Sequence, residues 1–100
     1  MTNGGISKAA DPERFYELAD GVLTRKVGGE VLLLNTDSEL YFSLNEVGSD
    51  FLQLLEEGMT VGSAIAKLAT VYDAPIEIIA NDIAALTDSL LQRGLIVAAH

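Results

Sequence analysis

Residues 41–58, YFSLNEVGSDFLQLLEEG, carry a strand into a helix without a break. Leu40, Phe42 and Leu44 fall on one side of an extended chain, and Tyr41 and Ser43 on the other. The period then changes. Val47, Phe51, Leu54 and Leu55 recur at i, i+4, i+7 and i+8, one face of a helix. Asn45 stands where an N-cap belongs, Glu46 complements the dipole in the first turn, and Gly58 supplies the stop.

Upstream, Leu23 to Val27 alternates, with Leu23, Arg25 and Val27 facing away from Thr24 and Lys26. Gly28-Gly29 provides the positive φ angles of a two-residue hairpin turn. The continuous run Val31 to Leu34 reads as a strand buried on both faces. Asn35 to Ser38 is a turn by composition, and Leu40 to Leu44 is the third strand of an antiparallel meander.

Downstream, Thr60 caps a second helix whose Val61, Ile65, Leu68, Ala69 and Tyr72 share a face. Pro75 fits the first turn of a third helix. Its main stripe is Ile79, Ile83, Leu86 and Leu90, widened by Ile76, Ala80, Thr87 and Leu91. Arg93 is a last-turn cation and Gly94 a C′ glycine. Leu95 to Val97 adds a short final strand or packs as an extended tail. The expected class is α+β, winged-helix-like: a three-stranded antiparallel sheet followed by three helices. Residues 1–20 are expected as a flexible N-terminal segment, a mobile tail of about ten residues and then a loosely packed stretch around Phe15, Tyr16 and Leu18. Residues 21–100 form the domain.

Composition removes most chemistry. There is no Cys, and the one histidine, His100, is terminal, so thiolate zinc sites and Ser-His-type nucleophiles have no parts to work with. Glu56-Glu57 is a solvated helix end, and Asp82 and Asp88 do not share a helix face. Gly28-Gly29 lacks the spacing of a phosphate cradle. No catalytic residue, metal site or cofactor is expected. The longest apolar run is too short to span a bilayer and no signal peptide is evident, so a soluble, cytoplasmic protein without a membrane partner is expected.

Net charge is −9, from 15 acidic and 6 basic residues. Such a chain repels a phosphate backbone and attracts basic peptides or basic protein surfaces. The second helix has one basic residue, Lys67, and the third has Arg93 only at its end. Nucleic acid is therefore not an expected partner, although a winged-helix DNA-binding regulator is an alternative by fold analogy. The segment from Glu39 to Ser43 has a single charge and no Pro. If it is an uncovered sheet edge, an extended peptide can pair with it by strand addition. A second copy pairing there would instead give a homodimeric interaction module.

Several marks fall in a fixed order: YFSLN at residues 41–45, Val47-Gly48, Leu54-Leu55 before Gly58, Tyr72, Asp82 ahead of an apolar helix, and Leu90 through Gly94-Leu95. Together, over roughly Gly21 to Val97, the chain resembles the PqqD family. These small recognition elements bind the leader segments of ribosomally made precursor peptides and present them to modifying enzymes. The resemblance implies that residues 21–100 are a peptide-recognition domain. In it, a leader adds as a strand beside the third strand, in a groove also walled by the third helix. Leu40, Tyr41, Phe42 and Ser43 would form the sheet side. Asp82, Ala85, Leu86 and Ser89 would form the helix side, with Leu86 flooring the groove and Asp82 open to a Lys or Arg of the leader. The implied partners are a precursor peptide and a maturation enzyme. That enzyme would be a radical SAM protein of quinone-cofactor (PQQ) biosynthesis, the leader peptidase of a lasso-peptide pathway or another modifying enzyme. The first twenty residues carry no mark of the family.

Overall fold

The alternating segments of the N-terminal half pair as the sequence predicts. In the computed structural model, which describes residues 11–99, strands β2 (Val22–Val27), β3 (Glu30–Asn35) and β4 (Tyr41–Leu44) make an antiparallel sheet in the order β2-β3-β4. The expected tail before Asp11 and His100 lie outside the described residues. Gly28 takes φ +65° in the β2–β3 turn, a conformation that costs glycine no Cβ clash. At the β3–β4 turn, Asn35 Oδ1 accepts the Asp37 and Ser38 amides at 2.9 and 3.3 Å, the local bonding that makes Asn a turn residue.

The register Thr24↔Leu33↔Phe42 sets one face of the sheet against the helices. Here the expectation for β3 needs correction. Only Leu33 is fully buried; Leu32 and Leu34 are partly exposed on the outer face. That face, which also carries Leu23 and Val27, has no second layer among the described residues, so a continuous apolar run does not mean burial on both sides. Leu40 also falls just outside β4.

Three helices follow: α1 (Glu46–Glu56), α2 (Val61–Val71) and α3 (Ile76–Gln92). Asn45 Oδ1 accepts the Gly48 amide at 2.9 Å and Thr60 Oγ1 the Ser63 amide at 3.2 Å, so both expected N-caps form. Pro75 occupies the N-cap position of α3 rather than its first turn, with no side-chain bond. At the far end of α1, Gly58 N–H bonds Leu55 O and Met59 N–H bonds Leu54 O, the paired bonds of a Schellman stop. Gly94 closes α3 in the same way through Leu91 and Leu90. Phe51, Leu68, Ile83 and Leu90 meet Leu33 and Leu44 of the sheet in the core. Burying each such side chain contributes about 1.5–3 kcal/mol.

The buried stripe of α3 is Ile79, Ile83, Thr87 and Leu90. Thr87 is tolerated there because its hydroxyl donates to Ile83 O at 2.7 Å. Leu86, expected on that stripe, is rotated off it and only partly buried, and Ile76 is exposed.

The largest difference is at the N-terminal side. Phe15–Leu18 is not loosely packed; it forms strand β1, antiparallel to β5 (Ile96–Ala99), and Tyr16 is buried at 4% exposure. The amides of Val61 and Gly62 donate to Arg14 O and Pro12 O at 2.9 Å each, so this segment also satisfies the free first turn of α2. The chain is thus an α+β fold with a three-stranded and a two-stranded antiparallel sheet around three helices.

Candidate functional site

Strand β4 ends the larger sheet. Its only strand partner among the described residues is β3, because β5 pairs with β1 instead of returning to cover it. Asn35 N–H donates to Leu40 O at 2.9 Å, which fixes the alternation along the ladder. The backbone groups of Phe42 and Leu44 therefore turn toward β3, and those of Tyr41 and Ser43 turn outward, unused by the sheet. The other edge, β2, carries Arg25 and Lys26 mid-strand, the kind of charge that turns foreign strands away. No charge sits within β4.

Beside the β4 edge lies a groove of about 460 Å³. Its sheet side is Phe42, Ser43 and Leu44; its floor is the first turn of α1, at Val47 and Gly48; its far wall is Asp82 and Leu86 of α3. Gly48 matters to that floor. A Cβ there would lie 3.3 Å from Leu86 and from the capping Asn45 oxygen, so the missing side chain lets α3 approach α1. Glu30 reaches the rim, where its Oε1 accepts the Ser43 hydroxyl at 3.0 Å.

Of the residues named from sequence, Phe42, Ser43, Asp82 and Leu86 meet in this groove. Leu40 and Tyr41 are 49% and 65% exposed and flank it along the strand. Ser89 falls within about 20° of Asp82 on the helical wheel, whereas Ala85 is about 60° away and exposed. Sequence reasoning did not place Glu30, Val47 or Arg93 at the site. The Arg93 guanidinium lies over the Phe42 ring, 5.1 Å from its centroid, beyond the residues that line the groove. Val47-Gly48 was visible as a motif; nothing local in the sequence points Arg93 at Phe42.

A second depression, of about 380 Å³, lies between the β2–β3 hairpin and α1, with Lys26, Glu30 and Asp50 in its lining. It adjoins the charged β2 edge, which leaves the β4 groove as the candidate site. Among the described residues, no group of His, Cys, Asp or Glu side chains is arranged to hold a metal ion. No helix among them is long and apolar enough to cross a membrane.

The fold has known counterparts. TbiB1, solved in complex with the TbiA(beta) leader peptide, is 26% identical and superposes with a TM-score of 0.73, over 80% of this chain and 93% of that one. A lasso peptide synthetase B1 complexed with its leader peptide is 24% identical, with a TM-score of 0.75 over 82% of this chain and 96% of that one; at that identity the likeness concerns the fold. No curated protein matches the sequence. The model of coenzyme PQQ synthesis protein D matches residues 30–96, from the start of β3 into β5, so the chain belongs to the PqqD family.

Proposed function

We propose that this protein is a non-catalytic peptide chaperone. It binds the leader segment of a ribosomally made precursor peptide as an added strand on β4 and presents it to a maturation enzyme, a radical SAM protein or a leader peptidase. The observation that carries the reading is the uncharged, unpaired β4 edge alongside the groove to α3. Outward amides and carbonyls of Tyr41 and Ser43 supply main-chain bonds, and the groove supplies side-chain selectivity. Membership of the PqqD family and the likeness to TbiB1, a protein seen with a leader peptide, support the same reading. Leu40, Tyr41, Phe42 and Ser43 form the strand side and Asp82, Ala85, Leu86 and Ser89 the helix side. The absence of Cys fits a cytoplasmic setting. DNA binding is disfavoured by the net charge of −9.

The test is a fluorescence-anisotropy titration with the leader half of the nearest candidate precursor peptide among the neighbouring genes. Tight binding is expected, and it is abolished by Ser43→Pro, which removes an outward N–H and the hydroxyl bonded to Glu30 while leaving the β3–β4 main-chain bonds in place. Binding unaffected by that variant, or none to the neighbouring precursor, sinks the reading. Sedimentation of the free protein tests the rival, a dimer joined through β4.

A further inference from the structure

The stretch from the groove to the C-terminal end of α3 carries opposite charge at its two ends. At one end Asp82 lines the α3 wall and Glu30 the rim, held by its bond from Ser43. Neither carboxylate has an ion-pair partner among the described residues. At the other end Arg93 lies over Phe42. Arg93 follows Asp82 by eleven positions. Eleven residues are about three helical turns, so the two share a face to within about 20° and stand about 16 Å apart along the axis. Strand β4 runs alongside, from Phe42 beneath Arg93 toward Leu44 and Asn45 near Asp82.

We infer that this groove selects a peptide carrying one basic and one acidic side chain four residues apart on the same face of an extended chain. The inference rests on the proposed strand addition and assigns its charge specificity. A strand rises about 3.3 Å per residue and only every second side chain faces α3, so four steps, about 13 Å, with the reach of long charged side chains, match a span of about 16 Å. The basic side chain lies at the Asp82–Glu30 end, where two carboxylates line the groove and either can accept a charged donor. The acidic one meets Arg93. Between them an apolar side chain faces Phe42, Val47 and Leu86. The excess of acidic groups over the whole chain favours approach of the basic end first. Antiparallel pairing with β4 puts the basic residue N-terminal to the acidic one.

The test uses the whole chain and a library of random 12-residue peptides selected by mRNA display. Enriched peptides are expected to share a Lys or Arg followed four residues later by Asp or Glu. The best binder is then synthesised with a fluorophore. Asp82→Lys is expected to weaken it tenfold or more, and changing its basic residue to Glu to restore binding to the Asp82→Lys protein. Arg93→Glu is expected to act likewise at the acidic position. Arg93→Gln serves as the second variant if circular dichroism shows Arg93→Glu disturbing the helix end. Peptides that lose binding to Ser43→Pro yet ignore both charge changes overturn the charge assignment and leave strand capture standing. A selection with no peptide sensitive to Ser43→Pro overturns both.

Discussion

The hydroxyl of Tyr72 donates to Oδ2 of Asp50 across 2.5 Å, tying the end of α2 to the first half of α1. That bond, then the Asp50 charge and partial burial, push the phenol up to about 12 from its ordinary 10.0. The folded chain therefore holds this proton more tightly than the unfolded one. The contribution is complete below pH 10 and disappears as pH rises through about 12. Tyr72→Phe is expected to cost about 1 kcal/mol at neutral pH, modest for a bond to a charged acceptor because solvent reaches it. Melting curves of both proteins check this: their gap stays constant up to about pH 10 and closes over the next two units. Tyr16 is also raised, by burial first, and the comparison cancels its contribution.

Strand β1 is expected to be part of the cooperative core. Tyr16→Ala is predicted to cost about 3 kcal/mol, as for other large buried side chains. Phe15→Ser, on the exposed face of the same strand, is predicted to change stability by no more than about 0.5 kcal/mol. Urea denaturation of both variants distinguishes an integral strand, for which the costs differ, from a detachable one, for which they agree.

The entry of α2 leaves no room for a methyl group. A Cβ on Gly62 would lie 2.7 Å from the Pro12 Cβ and 3.0 Å from the Pro12 carbonyl oxygen. Gly62→Ala should displace residues 11–14 and cost about 1–3 kcal/mol. Hydrogen exchange is the check, since the amides of Val61 and Gly62, bonded to that segment, should lose protection along with β1.

Asp73 closes α2 at φ +51°, with Ala74 N–H bonded to Ala69 O. This is the C′ position that Gly58 and Gly94 fill at the other two helices. Asp73→Gly should therefore stabilise the protein by about 0.5–1 kcal/mol, read as a raised melting temperature. A fall would show that the Asp side chain contributes more than its backbone strain costs.

Legibility from sequence followed the range of the forces. Asn45, Thr60, Gly58 and Gly94 act on backbone groups a few residues away, and each took its expected role. The β2-β3-β4 meander was legible because short turns join its strands. Strand β1 was not, because Tyr16 finds its strand partner at Ala98, at the far end of the chain. Four residues of alternation carry no record of so distant a neighbour. The exposure of Leu32 and Leu34 was missed for a related reason: hydrophobic composition does not say whether a second layer arrives.

At the site, Phe42 and Ser43 were legible as an edge, and Asp82 and Leu86 through the family resemblance. Arg93 was read as a cation complementing a helix dipole. Its place over Phe42 depends on how α3 crosses the sheet, which no local pattern encodes.

The pairing of Phe15 with Ala99 brings the two extremities of the described chain side by side. Topologically residues 15–99 come close to a ring with one open link. A short turn from Ala99 to Phe15 would close it, and new ends could open at Gly28-Gly29, where an added Cβ meets nothing within 4 Å. Such a circular permutant keeps every strand pair and the whole β4 groove while moving its termini to the β2–β3 tip, at the cost of the Arg14 and Pro12 bonds to the first turn of α2.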